Sequence, residues 1–190
     1  MKKLLLFLVS ISILVVSGCA SKGADSVVFQ RENLDINYIE RVAILPFDNL
    51  TTDDSAGARV RDLAFTQALA SGKFDVVEQG LVDSALRELA IGKGQPIDAP
   101  VLKILGKRLG VNAFFTGSVN SLKGGGSGYS YPEVSLTINL IDIETAEVLW
   151  RSTAYKNGYS LWNRLFDLDP KDEFEVTLLL VEEMFFTIQK

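Results

Sequence analysis

The chain has 190 residues, 47% of them hydrophobic, with 19 Lys and Arg against 24 Asp and Glu and a formal charge of −5. That sign does not suit nucleic acid, whose affinity comes mainly from neutralised phosphates, and it leaves no polybasic patch for anionic lipid. Histidine is absent and cysteine occurs once, which removes Ser-His-Asp and Cys-His nucleophilic sites, His-bearing zinc sites and any intrachain disulfide.

The first eighteen residues read as an export signal. Lys2 and Lys3 precede a thirteen-residue apolar stretch, Leu4 to Val16, too short for a hydrocarbon core of about 30 Å that takes roughly 20 residues to cross. The stretch ends in Val16-Ser17-Gly18-Cys19, which resembles the lipobox of bacterial lipoproteins. That resemblance implies cleavage before Cys19 and lipid on its thiol; about three acyl chains there exceed the two signals that stable anchoring needs. Ala20, rather than aspartate, follows the cysteine, which in such lipoproteins implies the outer membrane, facing the periplasm. Processing would leave 172 residues, 17 basic and 24 acidic, with a net charge near −7, enough for one well-buried domain.

Residues 19–37 are expected to form the lipidated N-terminus and a tether, polar at first and mixed around Val27-Val28-Phe29. Fully extended it would reach ~60 Å. Residues 38–190 then alternate as one domain. Arg41 to Phe47 is an apolar run stopped by Pro46, a buried strand. Asp53, Asp54 and Ser55 offer caps for a helix reaching Ser71, with Gly72 to end it. Phe74 to Val77 is a short strand. A second helix carries Leu81, Val82, Ala85, Leu86 and Leu89 and stops near Gly92; a third opens at Asp98 with Pro100 and closes at Gly110. Ala113 to Leu122, Val134 to Leu140 and Val148 to Tyr155 are strands, the second with clean period-two alternation. The last helix, Pro170 to Ile188, turns Phe174, Leu178, Val181, Phe185 and Ile188 inward, and holds Val176, Leu179, Leu180 and Phe186 on its other side. The order predicts a single-domain α/β sandwich whose mixed sheet ends in an antiparallel meander flanked by helices.

Catalytic chemistry is thin. Asp53-Asp54 are read as helix caps, Asp142, Glu144 and Glu147 as solvated turn charges, and Asp167 and Asp169 as the start of the last helix. Neither Gly92-Lys93-Gly94 nor the Gly124–Gly128 cluster fits a Walker pattern; the first reads as a helix stop, the second as a hairpin tip. No metal, cofactor or catalytic residue is assigned, and a non-enzyme is expected. Leu179 and Phe186, seven residues apart, share a side of the last helix and are the candidate interface of a homo-oligomer.

Four segments in order carry a family resemblance. Val42-Ala-Ile-Leu-Pro-Phe-Asp-Asn-Leu-Thr51 resembles the opening strand of the CsgG family of curli secretion, and Phe74-Asp-Val-Val-Glu78 its second strand. Leu109-Gly-Val-Asn-Ala-Phe-Phe-Thr-Gly117 is similar to its strand entry, and Asp142-Ile-Glu-Thr-Ala-Glu-Val-Leu-Trp150 to its hairpin, with Ala146 where glycine is usual. The resemblance covers about residues 41–155 and points to the CsgG-like (TolB-N-like) superfamily of periplasmic lipoproteins. It implies an α/β core, envelope protein partners and a scaffold role in export or envelope assembly. The stretch around Gly124–Gly128, flanked by Asn120, Ser121, Lys123 and Ser130, is too short and polar for a membrane-spanning hairpin. A PelC-type ring component on the periplasmic face of the outer membrane fits these features. The alternative is an LpoB-type regulator of a peptidoglycan synthase, though the tether is short for one.

Overall fold

The computed structural model describes residues 25–32, 36–92, 94–125, 131–159 and 171–189. Seven strands occur among them: β1 (Asp25–Gln30), β2 (Arg41–Ile44), β3 (Asp48–Asn49), β4 (Asp75–Val76), β5 (Ala113–Lys123), β6 (Glu133–Asp142) and β7 (Val148–Asn157). The helices are α1 (Ala56–Ala70), α2 (Gln79–Glu88), α3 (Ala99–Leu109) and α4 (Glu173–Phe186). The strand order is β1-β7-β6-β5-β2-β4, with β3 alongside β5. β2 runs parallel to β4 and β5, whereas β5, β6, β7 and β1 are antiparallel neighbours. This is the expected α/β sandwich with a mixed sheet and a C-terminal meander.

Hydrophobic patterning explains the layers. In β2, Val42 and Ile44 join the core under α1 and α4, while Ala43, and Leu45 just after the strand, join the core under α2 and α3. A strand covered on both faces needs such a continuous apolar run. β6 instead alternates. Val134, Leu136, Ile138 and Leu140 are fully buried toward α4 and α1, and Ser135, Thr137 and Asn139 point the other way. Phe115, Trp150 and Phe185 pack at the centre, with the Phe115 and Phe185 rings 5.1 Å apart. Gly117 sits where a Cβ would fall 2.7 Å from the Thr137 carbonyl oxygen and 2.9 Å from the Phe47 ring, so no other residue fits that crossing.

Several helix ends follow their sequence signals. Asp98 accepts from the Val101 N–H at 3.0 Å, and Gly110 closes α3 in the left-handed region at φ 64°. Others differ. α2 ends at Glu88, short of Gly92, because Ala90 already turns to φ 56°. α4 starts at Glu173, where Asp172 and Glu175 form a reciprocal capping box; Asp167 and Asp169 lie outside the described residues.

Two larger corrections concern the edges of the domain. Asp25–Gln30, placed in the tether from sequence, form β1, paired over its whole length with β7 from Asp25↔Tyr155 to Gln30↔Trp150. The β-branched and aromatic run Val27-Val28-Phe29 finds in β7 the partner that a strand requires. The inward face of α4 is also rotated from expectation. Val176 and Leu180 are buried with Val181, Met184, Phe185 and Ile188, while Phe174 is 60% exposed. The cause is a double contact, since α4 packs on both α1 and the sheet, and the absence of a side chain at Gly158 admits Val176 to the end of β7.

Candidate functional surface

In α/β sheets ligands usually bind beyond the carboxyl ends of parallel strands. Here that position is filled. Arg61, buried in α1, donates from Nε and Nη2 to the Ile44 carbonyl at the end of β2 (3.1 and 2.9 Å), and from Nη1 to Asp83 on α2 at 2.8 Å. Its guanidinium thus ties α1, β2 and α2 together and keeps few donors for a ligand. Nearby, Asp53 accepts from the Ser55 amide and hydroxyl at 2.9 and 2.8 Å and pairs with Arg59 at 2.7 Å. The Ser55 hydrogen bonds, with the Arg59 guanidinium behind them, hold its carboxyl down at about 2. Arg59 also reaches Glu173 at 2.9 Å, linking α1 to α4. The expected caps differ: Ser55 is the N-cap residue of α1 but makes no side-chain cap hydrogen bond, and Asp53 closes a turn onto Ser55 ahead of the helix. Among the described residues no group of three or more His, Cys, Asp or Glu is placed to hold a metal ion.

In the second acidic cluster Glu144 and Glu147 are exposed, as read from sequence, and Asp142 is not. Asp142 is buried, not solvated, and its carboxylate organises the β6–β7 turn. It accepts from the Glu144 and Thr145 amides at 3.0 and 2.8 Å, the Thr145 hydroxyl at 3.0 Å and the Tyr38 hydroxyl at 2.8 Å. Burial raises its pKa, but these donors together outweigh burial and hold it below the usual carboxylate range. Tyr38 is pushed up to about 12, by burial first and then by the bond to Asp142 and its charge. Glu144 pairs with Lys103, and Glu147 with Arg31 at 2.8 Å. The cluster is a built turn. At the glycine segments, the Gly92 amide donates to Gln95 Oε1 at 2.9 Å, a local turn, while Lys93 and residues 126–130 lie outside the described residues.

Among the described residues, no helix packs on one face of the antiparallel half. The register aligns Thr116, Asn139, Arg151 and Phe29 in one row across β5, β6, β7 and β1, and Ser118, Thr137, Thr153 and Val27 in the next. The polar members bond laterally, Arg151 to Asn139 at 3.0 Å, Asn139 to Thr116 at 3.2 Å, and Thr137 to Thr153 at 3.1 Å. Each row ends in an apolar residue of β1, with Val27 77% and Phe29 50% exposed.

Among the described residues β1 is an edge strand, with β7 on one side and no strand on the other. α4 lies over β6 and β7 on the opposite face. Its C-terminal end is tied to β1 by the Gln30 side chain, which donates to the Gln189 carbonyl at 2.7 Å and accepts from the Gln189 amide at 3.1 Å. Trp150 Nε1 bonds Thr187 at 3.1 Å, and Lys156 pairs with Glu183. Of the two interface candidates, Phe186 is 87% exposed and Leu179 half-buried. Sequence reasoning missed Val27, Val28 and Phe29 as part of this side of the molecule, although their β-forming run was visible. Cys19 lies outside the described residues, and no helix among the described residues is long and apolar enough to cross a membrane.

No curated protein sequence matches the chain. Among solved structures it is similar to the PelC dodecamer from Paraburkholderia phytofirmans, with 16% identity, a TM-score of 0.57, and 84% of this chain and 94% of that one covered. A variant PelC dodecamer from the same organism gives 17% identity, a TM-score of 0.58 and coverages of 84% and 96%. The LpoB C-terminal domain from Escherichia coli gives 15% identity, a TM-score of 0.48 and coverages of 66% and 88%. At such identities the PelC likeness is one of fold. The family model described as "Curli production assembly/transport component CsgG" matches residues 40–164, about two thirds of the chain and all of the sheet after β1, so this chain belongs to the CsgG family.

Proposed function

We propose that the chain is a lipoprotein anchored through Cys19 to the periplasmic face of the outer membrane, and that it acts without catalysis as a homo-oligomeric scaffold in export or envelope assembly. The observation that carries this reading is a set of large apolar groups exposed at the β1 edge, Val27 and Phe29, and on the outer side of α4, Phe186. Soluble monomers rarely keep such groups together. The filled crevice at Arg61 supports a role other than small-molecule chemistry, and the dodecamer formed by PelC on the same fold supports a ring. Buried between subunits, Leu179 and Phe186 would contribute about 1.5–3 kcal/mol each.

Light scattering on residues 20–190 is expected to give a discrete oligomer, and Leu179→Glu with Phe186→Glu folded monomers by circular dichroism. A wild-type monomer at tens of micromolar would overturn the ring and leave a regulator that binds a peptidoglycan synthase. Unfolding of the double variant would show that the fold needs half-buried Leu179, and Phe186→Glu alone, at a side chain 87% exposed, would then decide the oligomer.

A further inference from the structure

β1 changes how far the domain can stand from its anchor. The strand begins at Asp25, six residues after Cys19, and six extended residues span at most about 20 Å. If Cys19 carries the lipid, as proposed above, Asp25 is held within that distance of the bilayer. Asp25 sits at a defined end of the domain. It pairs with Tyr155, which pairs with Ser135, and the same end holds the Lys123↔Glu133 and Glu133↔Asn157 pairs. Along β6, Asp142 lies seven residues beyond Ser135, the residue level with Asp25, about 23 Å at the rise of an extended strand, so the end at the Asp142 turn lies farther out than the tether can reach.

We infer that the end of the domain formed by the close of β5 and β7, the start of β6 and the start of α4 lies against the lipid surface that holds the acyl chains of Cys19. The side chains there suit an interface. Tyr131 and Tyr159 pack edge to face, with ring centroids 5.1 Å apart. Tyr159 is 40% and Phe174 60% exposed, and aromatic and phenolic groups favour the boundary between water and lipid. Two acidic groups at this end are drawn into ion pairs, Glu133 with Lys123 and Glu173 with Arg59, while Asp25, Asp172 and Glu175 are exposed; pairing lowers the cost of approaching headgroups for the first two. α4 starts at this end, where Glu173 meets Arg59, and finishes at the far end, where Gln189 meets Gln30. Leu179 and Phe186 therefore face sideways, along the membrane, where neighbouring anchored copies would stand.

The test uses the full lipidated protein in vesicles of phosphatidylethanolamine and phosphatidylglycerol doped with a headgroup nitroxide. Lipid blocks the sulfur of Cys19, so one added cysteine carries the only fluorescent label. Phe174→Cys and, independently, Lys171→Cys mark the near end; exposed Lys107→Cys marks the far end. The near-end labels are expected to be quenched several-fold more than the far-end label. Equal quenching at both ends, or stronger quenching at Lys107→Cys, in protein that floats with the vesicles overturns the orientation while the anchor stands. Failure to float shows instead that the anchor reading itself is wrong, and the orientation falls with it.

Discussion

The parallel half of the sheet, β4, β2 and the first residues of β5, is enclosed between α1 and the α2–α3 pair, whereas the antiparallel half carries α4 on one face and, among the described residues, no helix on the other. The enclosed half has the topology that often makes a ligand crevice, yet a buried arginine occupies it. The half-open side has hairpins and an edge strand, and there the exposed apolar groups collect. A shared fold thus separates what stabilises the chain from what is available to partners. Substitutions in the two halves should consequently differ in kind as well as size.

The largest effect is expected at Arg61. Arg61→Met keeps much of the side-chain volume but strips the Ile44 carbonyl of two donors and leaves Asp83 without its partner. Breaking one side of such a buried set costs about 2–4 kcal/mol, read as a lowered urea midpoint. Asp83→Asn, at a half-exposed partner, should cost far less. A small loss at Arg61 would mean that the guanidinium is a guest in the crevice, and would reopen that position as a binding site.

Asp142 tests the antiparallel half. Its native pKa is depressed, so its contribution is present above the ordinary carboxylate range and is lost as pH falls through the native value. Asp142→Asn should lower stability at neutral pH by about 1–2 kcal/mol, with the difference from wild type vanishing in acid. Tyr38 works in the opposite sense. Its phenol is favoured neutral, so its share holds below the ordinary phenol value and fades as pH rises toward about 12. An Asp142→Asn variant that stayed parallel to wild type across the acid range would show that the turn is held by backbone alone.

These two residues also mark the limit of what could be read before the structure. Strand and helix order, the Asp98 and Gly110 caps and the β6 alternation were legible, because each rests on local spacing. Arg61 was not, since a lone arginine in an amphipathic helix looks solvated until its carbonyl partner, seventeen residues earlier, is placed beside it. Asp142 carries a local turn signal, but its burial depends on Tyr38, more than a hundred residues away. β1 escaped for a related reason. Its partner β7 lies at the other end of the chain, and a six-residue edge strand between polar flanks has the composition of a tether. On α4, near-continuous apolar sequence left the inward arc unspecified, and packing against both α1 and the sheet decided it.

The smallest expected effect comes from the same hairpin and bears on the family pattern. Ala146 stands at φ 56° where the resembling hairpins have glycine, and its amide donates to the Asp142 carbonyl at 3.0 Å. A non-glycine residue held left-handed costs about 1–2 kcal/mol. Glycine would relieve that cost but also gain about 0.4–1 kcal/mol of freedom in the unfolded chain. It would lose as well the contact that the Ala146 methyl makes with the core beneath α2 and α3. The net for Ala146→Gly is a gain of about 0.5 kcal/mol, seen as a slightly raised thermal midpoint. Ala90→Gly, at the same φ beyond α2, separates the two contributions because Ala90 is no part of that core. If Ala90→Gly stabilises and Ala146→Gly does not, the alanine at 146 is kept by packing, and the hairpin is fastened to the enclosed half more tightly than its backbone alone requires.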